Sequence, residues 1–547
     1  MRKKNFAMLL VVIIMGAGTA FAGGGSQGNG SKSQGSQSSA LTVSKDTLPI
    51  VTERLNLTGV ASKYVIVDDW NTLLMFQTYE KLTNIHVDWT VIPQESFVEK
   101  RNILIASNDL PDLFLRGQFS AVEEATYGTQ GTLIPLNNLI ENYAPNFKAI
   151  INRDPVVRKS IAQADGNIYT LPQLNETMGN LVTKYWVRDP WLQKLNISRP
   201  ETLDDLYNML VKFKNGDANG NGQRDEIPLS GAYRGNTGKY ISKFFAGSFG
   251  FGRIGGTYVR DNAGTFIDVD ANDTVQFVPL SPNYKTMLQY INKLYAEGLI
   301  DPELFTLDNN RFMAKAEESS IGMILGGNNF QWFGSKVMRE YSSITPIKGA
   351  DGSRNWIMVN PFVQVKGAAA ITSKNKYPEA AMRYLDYLYN AEGTKLVRLG
   401  VEGITYTKQN DGRYAYIPAI ANDPQGRTVD EMVGKYTIFC GGGVPQLIVD
   451  AIDLSAAQWP EIKASTNNYL PYLPKEYLSL SFTMDEVNEL NSLSNDILTY
   501  IEEMEIKFIT GTESFNNWNT FTQNLERMNT KRYTEIYAAA YQRWKRN

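Results

Sequence analysis

Between Tyr64 and Leu115 the chain alternates between two hydrophobic periods, and this alternation constrains the fold more than any other feature. Tyr64-Val65-Ile66-Val67 reads as a buried strand closed by Asp68-Asp69-Trp70-Asn71. From Leu73 to Thr83 the spacing is helical, with Leu74, Phe76, Tyr79 and Leu82 as candidate core positions. Ile85 to Ile92 reads as a second strand, Phe97 to Ser107 as a helix, and Asp112 to Leu115 as a third strand. Strand, helix, strand, helix, strand is the pattern of parallel α/β layers, because parallel neighbours need a crossover that a helix supplies. Ligands of such sheets gather beyond the carboxyl ends of the strands. That rule makes Trp70, Asn71, Arg116 and Gln118 candidate ligand contacts.

The start of the chain is of another kind. Arg2, Lys3 and Lys4 precede an apolar run from Phe6 to Met15, and Ala20-Phe21-Ala22 follows. A basic start, a short apolar stretch and an A-x-A end describe a secretory signal peptide over residues 1–22, cleaved after Ala22. The run is too short for a permanent membrane helix. Residues 23–44, rich in Gly, Ser and Gln, read as a flexible tether, since they hold too little apolar surface to order themselves. No cysteine stands near the cleavage point, so lipidation is not expected, and the mature chain should work outside the cytoplasm, in the periplasm or at the cell surface.

Composition narrows the chemistry. The 547 residues include one histidine, His86, and one cysteine, Cys440. Zinc sites, disulfide frameworks and histidine-activated nucleophiles therefore have almost nothing to work with. His86 lies in the alternating stretch Ile85 to Trp89 and reads as a structural residue. A net charge of −3 gives no basic surplus for nucleic acid. Paired-carboxylate hydrolysis stays open on composition alone, because 57 acidic residues always offer pairs. No catalytic signature accompanies them.

Farther along, Pro200-Glu201-Thr202-Leu203-Asp204-Asp205 opens a helix, with Thr202 as N-cap and Asp205 in the first turn. That helix runs into Asp217-Ala218-Asn219-Gly220-Asn221-Gly222-Gln223-Arg224-Asp225-Glu226. Oxygen-bearing side chains at positions 1, 3, 5 and 9, with glycine at 6, match the calcium loop of EF-hands. Pro228 stands where the twelfth-position glutamate would be, and Glu226 is the candidate replacement. A structural Ca2+ site is the expectation. Near the C-terminus, Asp485 to Phe508 and Tyr533 to Trp544 read as helices.

Several blocks, in order, resemble the family 1 extracellular solute-binding proteins of bacterial ABC importers, in particular their large calcium-containing branch. They include Tyr79 to Ile85, Ile105 to Phe114 (Asn108 replacing the usual glycine), Asp165 to Pro172, Trp186 to Leu195, Tyr377 to Ala381 and Gly400 to Tyr406. The resemblance implies a two-lobed α/β fold of the periplasmic-binding-protein kind, type II, with a three-segment hinge. It implies lobe 1 from 45–172 plus 351–400, and lobe 2 from 173–350 plus 401–547. It also implies calcium ligation by Asp217, Asn219, Asn221, Asp225, Glu226 and the backbone oxygen of Gln223. Function follows as an expectation: no enzyme, but a monomeric receptor that closes on an oligosaccharide and passes it to permease subunits. A peptide or other polar solute is the alternative ligand.

Sugar rings offer apolar C–H faces and a rim of hydroxyls, so aromatic plates and planar polar groups suit them. On that ground Trp186, Asn328, Trp332, Trp356 and Glu402 join Trp70, Asn71, Arg116 and Gln118 as candidate ligand contacts.

Overall fold

In the computed structural model, strand β1 (Leu55–Lys63) lies between β2 (Ile85–Pro93) and β3 (Leu113–Phe119), parallel to both. The structure describes residues 41–177, 181–231, 240–252, 255–256, 265–318, 320–326, 339–359, 362–410, 412–438, 442–452, 460–474, 478 and 480–546. The first strand precedes the expected one. Leu55 and Leu57 face the core while Asn56 and Thr58 face out, and Tyr64 to Val67 form the turn that follows, with Val65 almost fully exposed. Gly59 admits the Trp89 ring against the backbone, since a Cβ there would lie 2.4 Å from it.

Helices α1 (Leu74–Thr83) and α2 (Phe97–Ala106) are the two crossovers. Helix α1 is turned from its expected face: Met75, Phe76, Tyr79 and Thr83 are buried, while Leu82 is exposed. His86 is structural, its Nδ1 lying 2.8 Å from Glu80 on α1. Helix α3 (Ala121–Thr129) follows β3.

Strands β4 (Leu171–Asn175), β9 (Val363–Ile371) and β10 (Gln446–Ile448) complete a six-stranded sheet in the order β10-β4-β9-β3-β1-β2. A second, four-stranded sheet is built from β5 (Lys184–Arg188), β6 (Ile227–Gly231), β7 (Ile321–Gly326) and β8 (Tyr341–Ser343), in the order β8-β5-β7-β6. Helix α4 (Leu203–Asn215) packs beside β6, with Leu206, Met209, Leu210 and Phe213 buried. Its N-terminus is the expected one: Thr202 and Asp205 form a reciprocal capping box. Long C-terminal helices α5 (Met484–Thr510) and α6 (Thr530–Arg546) join the same core through Ile497, Phe508, Tyr533 and Trp544.

The chain passes between the sheets three times: from β4 to β5, from β8 to β9, and from β10 to the C-terminal helices. These passages run side by side. Val182 bridges Val359, Asn175 N–H donates to the Phe362 carbonyl at 2.9 Å, and Glu176 N–H donates to the Ile448 carbonyl at 2.8 Å. Two lobes and three adjacent crossings are the expected architecture, with two boundaries moved. Residues up to Met358 belong to the second core, because the Trp356 indole N–H donates to the Thr183 carbonyl and its ring meets Tyr185 and Tyr469. Residues 446–448 join the first sheet, where β10 pairs in parallel with β4. Residues 42–547 form one compact unit. No helix among the described residues is long and apolar enough to cross a membrane. The expected signal peptide and the tether up to residue 40 lie outside the described residues, as does Cys440.

Candidate functional site

The parallel strands β1, β2 and β3 all end at one edge of the first sheet. Strand β9 runs antiparallel to β3 and begins there, and β4 and β10 end there. Tyr64, Gln94, Arg116, Gln118, Gln173, Asn175 and Gln364 therefore share the edge that leads into the crossings, where ligands of such sheets bind.

The carboxyl end of β3 is unusual in its backbone. Arg116 and Gln118 both have φ of 51°, a region that non-glycine residues seldom occupy. Buried Arg101 of α2 holds this bend: its Nη1 donates to the carbonyls of Gly117 at 2.6 Å and Gln118 at 2.8 Å, and its Nη2 pairs with Glu123. Strain of this kind persists only where surroundings over-determine it, and it is common at binding sites. The Arg116 guanidinium lies over the Tyr64 ring at 5.2 Å and donates to the Ile438 carbonyl at 2.6 Å. Gln118 Nε2 donates to Gln94 Oε1 at 3.0 Å. Both residues fall where the strand-end rule puts a site.

A further group of amides was not legible in the sequence. Gln173 Nε2 donates to Gln364 Oε1 at 2.7 Å, Asn175 Nδ2 reaches the same oxygen at 3.2 Å, and Gln173 Oε1 accepts the Gly443 N–H at 2.7 Å. These residues are far apart in sequence and carry no motif. The one signal that could have found them is their position beside chain crossings.

The aromatic candidates fare differently. Trp70 is fully buried, 5.4 Å from Phe76 and edge-on to Trp89 at 5.2 Å, so it is core and not an exposed plate. Asn71 staples the same turn to β2, accepting the Trp89 N–H at 2.9 Å and donating to the Trp89 carbonyl at 3.0 Å. Trp356 is core for the reason given above. Trp186 is buried on β5 with Lys184 Nζ 5.6 Å from its ring. Burial pushes the Lys184 amine down to about 7. Glu402 is exposed in a turn before the hairpin Tyr406–Tyr416 and makes a backbone bridge to Tyr406. Asn328 and Trp332 lie outside the described residues.

The loop after α4 folds as a series of side-chain-to-backbone turns. Asp217 Oδ1 accepts from the N–H groups of Gly220 at 2.9 Å and Gly222 at 3.3 Å, Asn219 Oδ1 from Asn221 at 3.0 Å, and Asn221 Oδ1 from Gln223 at 2.7 Å. Gly222 has φ of 77°, which explains glycine at the sixth position. The Asn219 and Asn221 amides converge on Asp225 at 3.0 and 3.0–3.2 Å. They hold its carboxyl below the usual range. Glu226 is buried: Oε1 accepts the Ala218 N–H at 2.6 Å, while Oε2 has no hydrogen-bond partner. A buried, unpartnered carboxylate oxygen in an oxygen-rich loop suits a hard cation. Among the described residues, no group of three or more His, Cys, Asp and Glu side chains is placed to hold a metal by itself. A site here depends on the asparagines and the Gln223 carbonyl as well.

Comparison with known proteins fits this architecture. FusA of Streptococcus pneumoniae serotype 4, a fructooligosaccharide ABC transporter substrate-binding protein, is 28% identical over 519 residues, 92% of each chain. The structure of an EF-hand mutant of S. pneumoniae FusA, in complex with fructo-nystose, superposes with a TM-score of 0.72 at 26% identity, covering 90% of this chain and all of that one. An extracellular solute-binding protein from Bifidobacterium longum subsp. infantis shares the fold, with a TM-score of 0.76 at 20% identity over 90% of this chain and 98% of that one. The family of bacterial extracellular solute-binding proteins matches residues 60–395, more than half of the sequence, and the chain belongs to it.

Proposed function

We propose that the protein is exported, captures oligosaccharides between its two lobes, and delivers them to the permease of an ABC importer without altering them. The observation that carries this reading is the similarity to FusA over 92% of both chains, which spans both sheets and all three crossings. The strained, polar edge at Arg116 and Gln118 supports the first lobe as one wall of the site. Ligand held on one lobe gains contacts to the other only on closing, so binding shifts the population toward the closed form.

The same reading includes a structural calcium ion. Asp217, Asn219, Asn221, Asp225, Glu226 and the backbone oxygen of Gln223 are its ligands, and they would tie the end of α4 to the start of β6. The unpartnered Glu226 Oε2 supports this assignment, as does the EF-hand named for FusA. Each asparagine oxygen accepts one backbone N–H and keeps a second lone pair that the ion would take.

A thermal-shift panel of oligosaccharides and peptides tests the capture reading. Ligand at a hundred times its dissociation constant stabilises by about 2.7 kcal/mol, enough to raise the melting temperature visibly. A rise with oligosaccharides is the expected result. Stabilisation by peptides alone would replace the ligand class, and turnover of a bound sugar would make the protein an enzyme.

A further inference from the structure

Resting on the receptor reading, we infer that the site selects uncharged oligosaccharides over uronate-containing ones, and that Gln364 reads their hydroxyl oxygens with its amide Nε2. The chain of amides at the sheet edge determines which end of Gln364 is on offer. A backbone N–H can bond only to an oxygen, so the Gly443 N–H at 2.7 Å requires the oxygen of Gln173 to face it. That turns the Gln173 nitrogen toward Gln364. Independently, the Thr177 N–H at 2.9 Å requires the oxygen of Asn175, which turns the Asn175 nitrogen toward Gln364 as well. Two amide nitrogens then converge on Gln364 Oε1, and its Nε2 is left as the outward group. Gln364 is exposed at the mouth of a chain crossing, so the Nε2 protons are available to a ligand.

A neutral donor satisfies a hydroxyl oxygen fully but leaves a buried carboxylate without a counter-charge, and uncompensated burial of charge is expensive. Three cations at this edge have contacts within the protein, and Arg116 is buried. Arg116 bonds the Ile438 carbonyl, Lys63 Nζ donates to the Val67 carbonyl at 3.0 Å, and Lys366 counters the buried Glu124 carboxyl. Beyond the strand ends, Asp68, Asp69 and Glu95 are exposed and add repulsion. The Gln94–Gln118 pair extends the same uncharged surface.

The test is calorimetric titration of the full mature protein with neutral oligosaccharides (fructo-, gluco- and galacto-) and with galacturonate and mannuronate oligomers of equal length. At least one neutral series should bind with an affinity that barely changes between low and high salt, and the uronates at least about tenfold more weakly. Gln364→Ala should weaken the neutral ligand about tenfold, with a small fall in melting temperature because the Gln173 and Asn175 amides lose their acceptor. Gln364→Lys should weaken it similarly and strengthen uronate binding. Tight, salt-sensitive binding of a uronate by the unmodified protein would overturn the inference and leave the receptor reading standing. Unchanged affinities in both variants would remove Gln364 from the site. Absence of binding by every sugar would overturn the receptor reading itself.

Discussion

Glu124 shows what burial does to a single side chain. It sits inside the first lobe on α3, accepting from Gln163 Nε2 at 2.6 Å and from the Thr170 hydroxyl at 2.9 Å. Desolvation, partly offset by Lys366 and these bonds, raises its carboxyl from 4.5 to about 7. The folded protein then holds this proton more tightly than the unfolded chain does. Its contribution to stability is fully present below about pH 4.5, declines as pH rises toward 7, and is gone above that. Glu124→Gln should remove this decline, a difference that urea unfolding at pH 4.5 and 7.5 would measure; parallel slopes would refute it. Trp356 is the second case. Its ring fills the second core and its N–H is bonded, so Trp356→Ala should cost about 3–5 kcal/mol in chemical unfolding. A loss of ligand affinity with full stability would instead make it a ligand plate. Trp70 and Trp356, both candidate ligand contacts by sequence, lie in the core, because the sequence marks them as large and apolar but not by which face they are packed.

At the scale of elements, the sequence was most legible where period and cap agree. Helix α4 is the clearest example: apolar residues at helical spacing, Thr202 and Asp205 at its start, and a structural capping box where they predict one. Helices α1, α2, α5 and α6 lie within a few residues of their expected bounds. The first strand was misread because Tyr64-Val65-Ile66-Val67 has higher β-propensity than Leu55–Lys63, whose glycine and alanine look unpromising. Packing reverses that preference: the Trp89 ring fills the space over Gly59, and the apolar tetrapeptide becomes a turn. The loop from Asp217 to Glu226 is an element of its own, and its metal dependence is testable. Chelation of a calcium-loaded sample should lower the melting temperature, and Glu226→Gln should lower it without chelator. A melting temperature indifferent to both would remove the metal.

For the whole molecule, three side-by-side crossings leave rotation of the lobes as the natural large motion, since few backbone segments must bend. Saturating oligosaccharide should therefore reduce the radius of gyration measured by solution scattering, and identical curves with and without ligand would count against closure. The order of strands and helices, the polar end of β3 at Arg116 and Gln118, and the oxygen-rich loop were determined by the sequence alone, because each depends on spacing within a few neighbouring residues. Tertiary structure decided the rest. It moved residues 351–358 into the second lobe and returned residues 446–448 to the first, since pairing partners far apart in sequence leave no local trace. It also brought Gln173, Asn175, Gln364 and Gly443 together, giving four unremarkable residues an orientation that only their mutual hydrogen bonds impose.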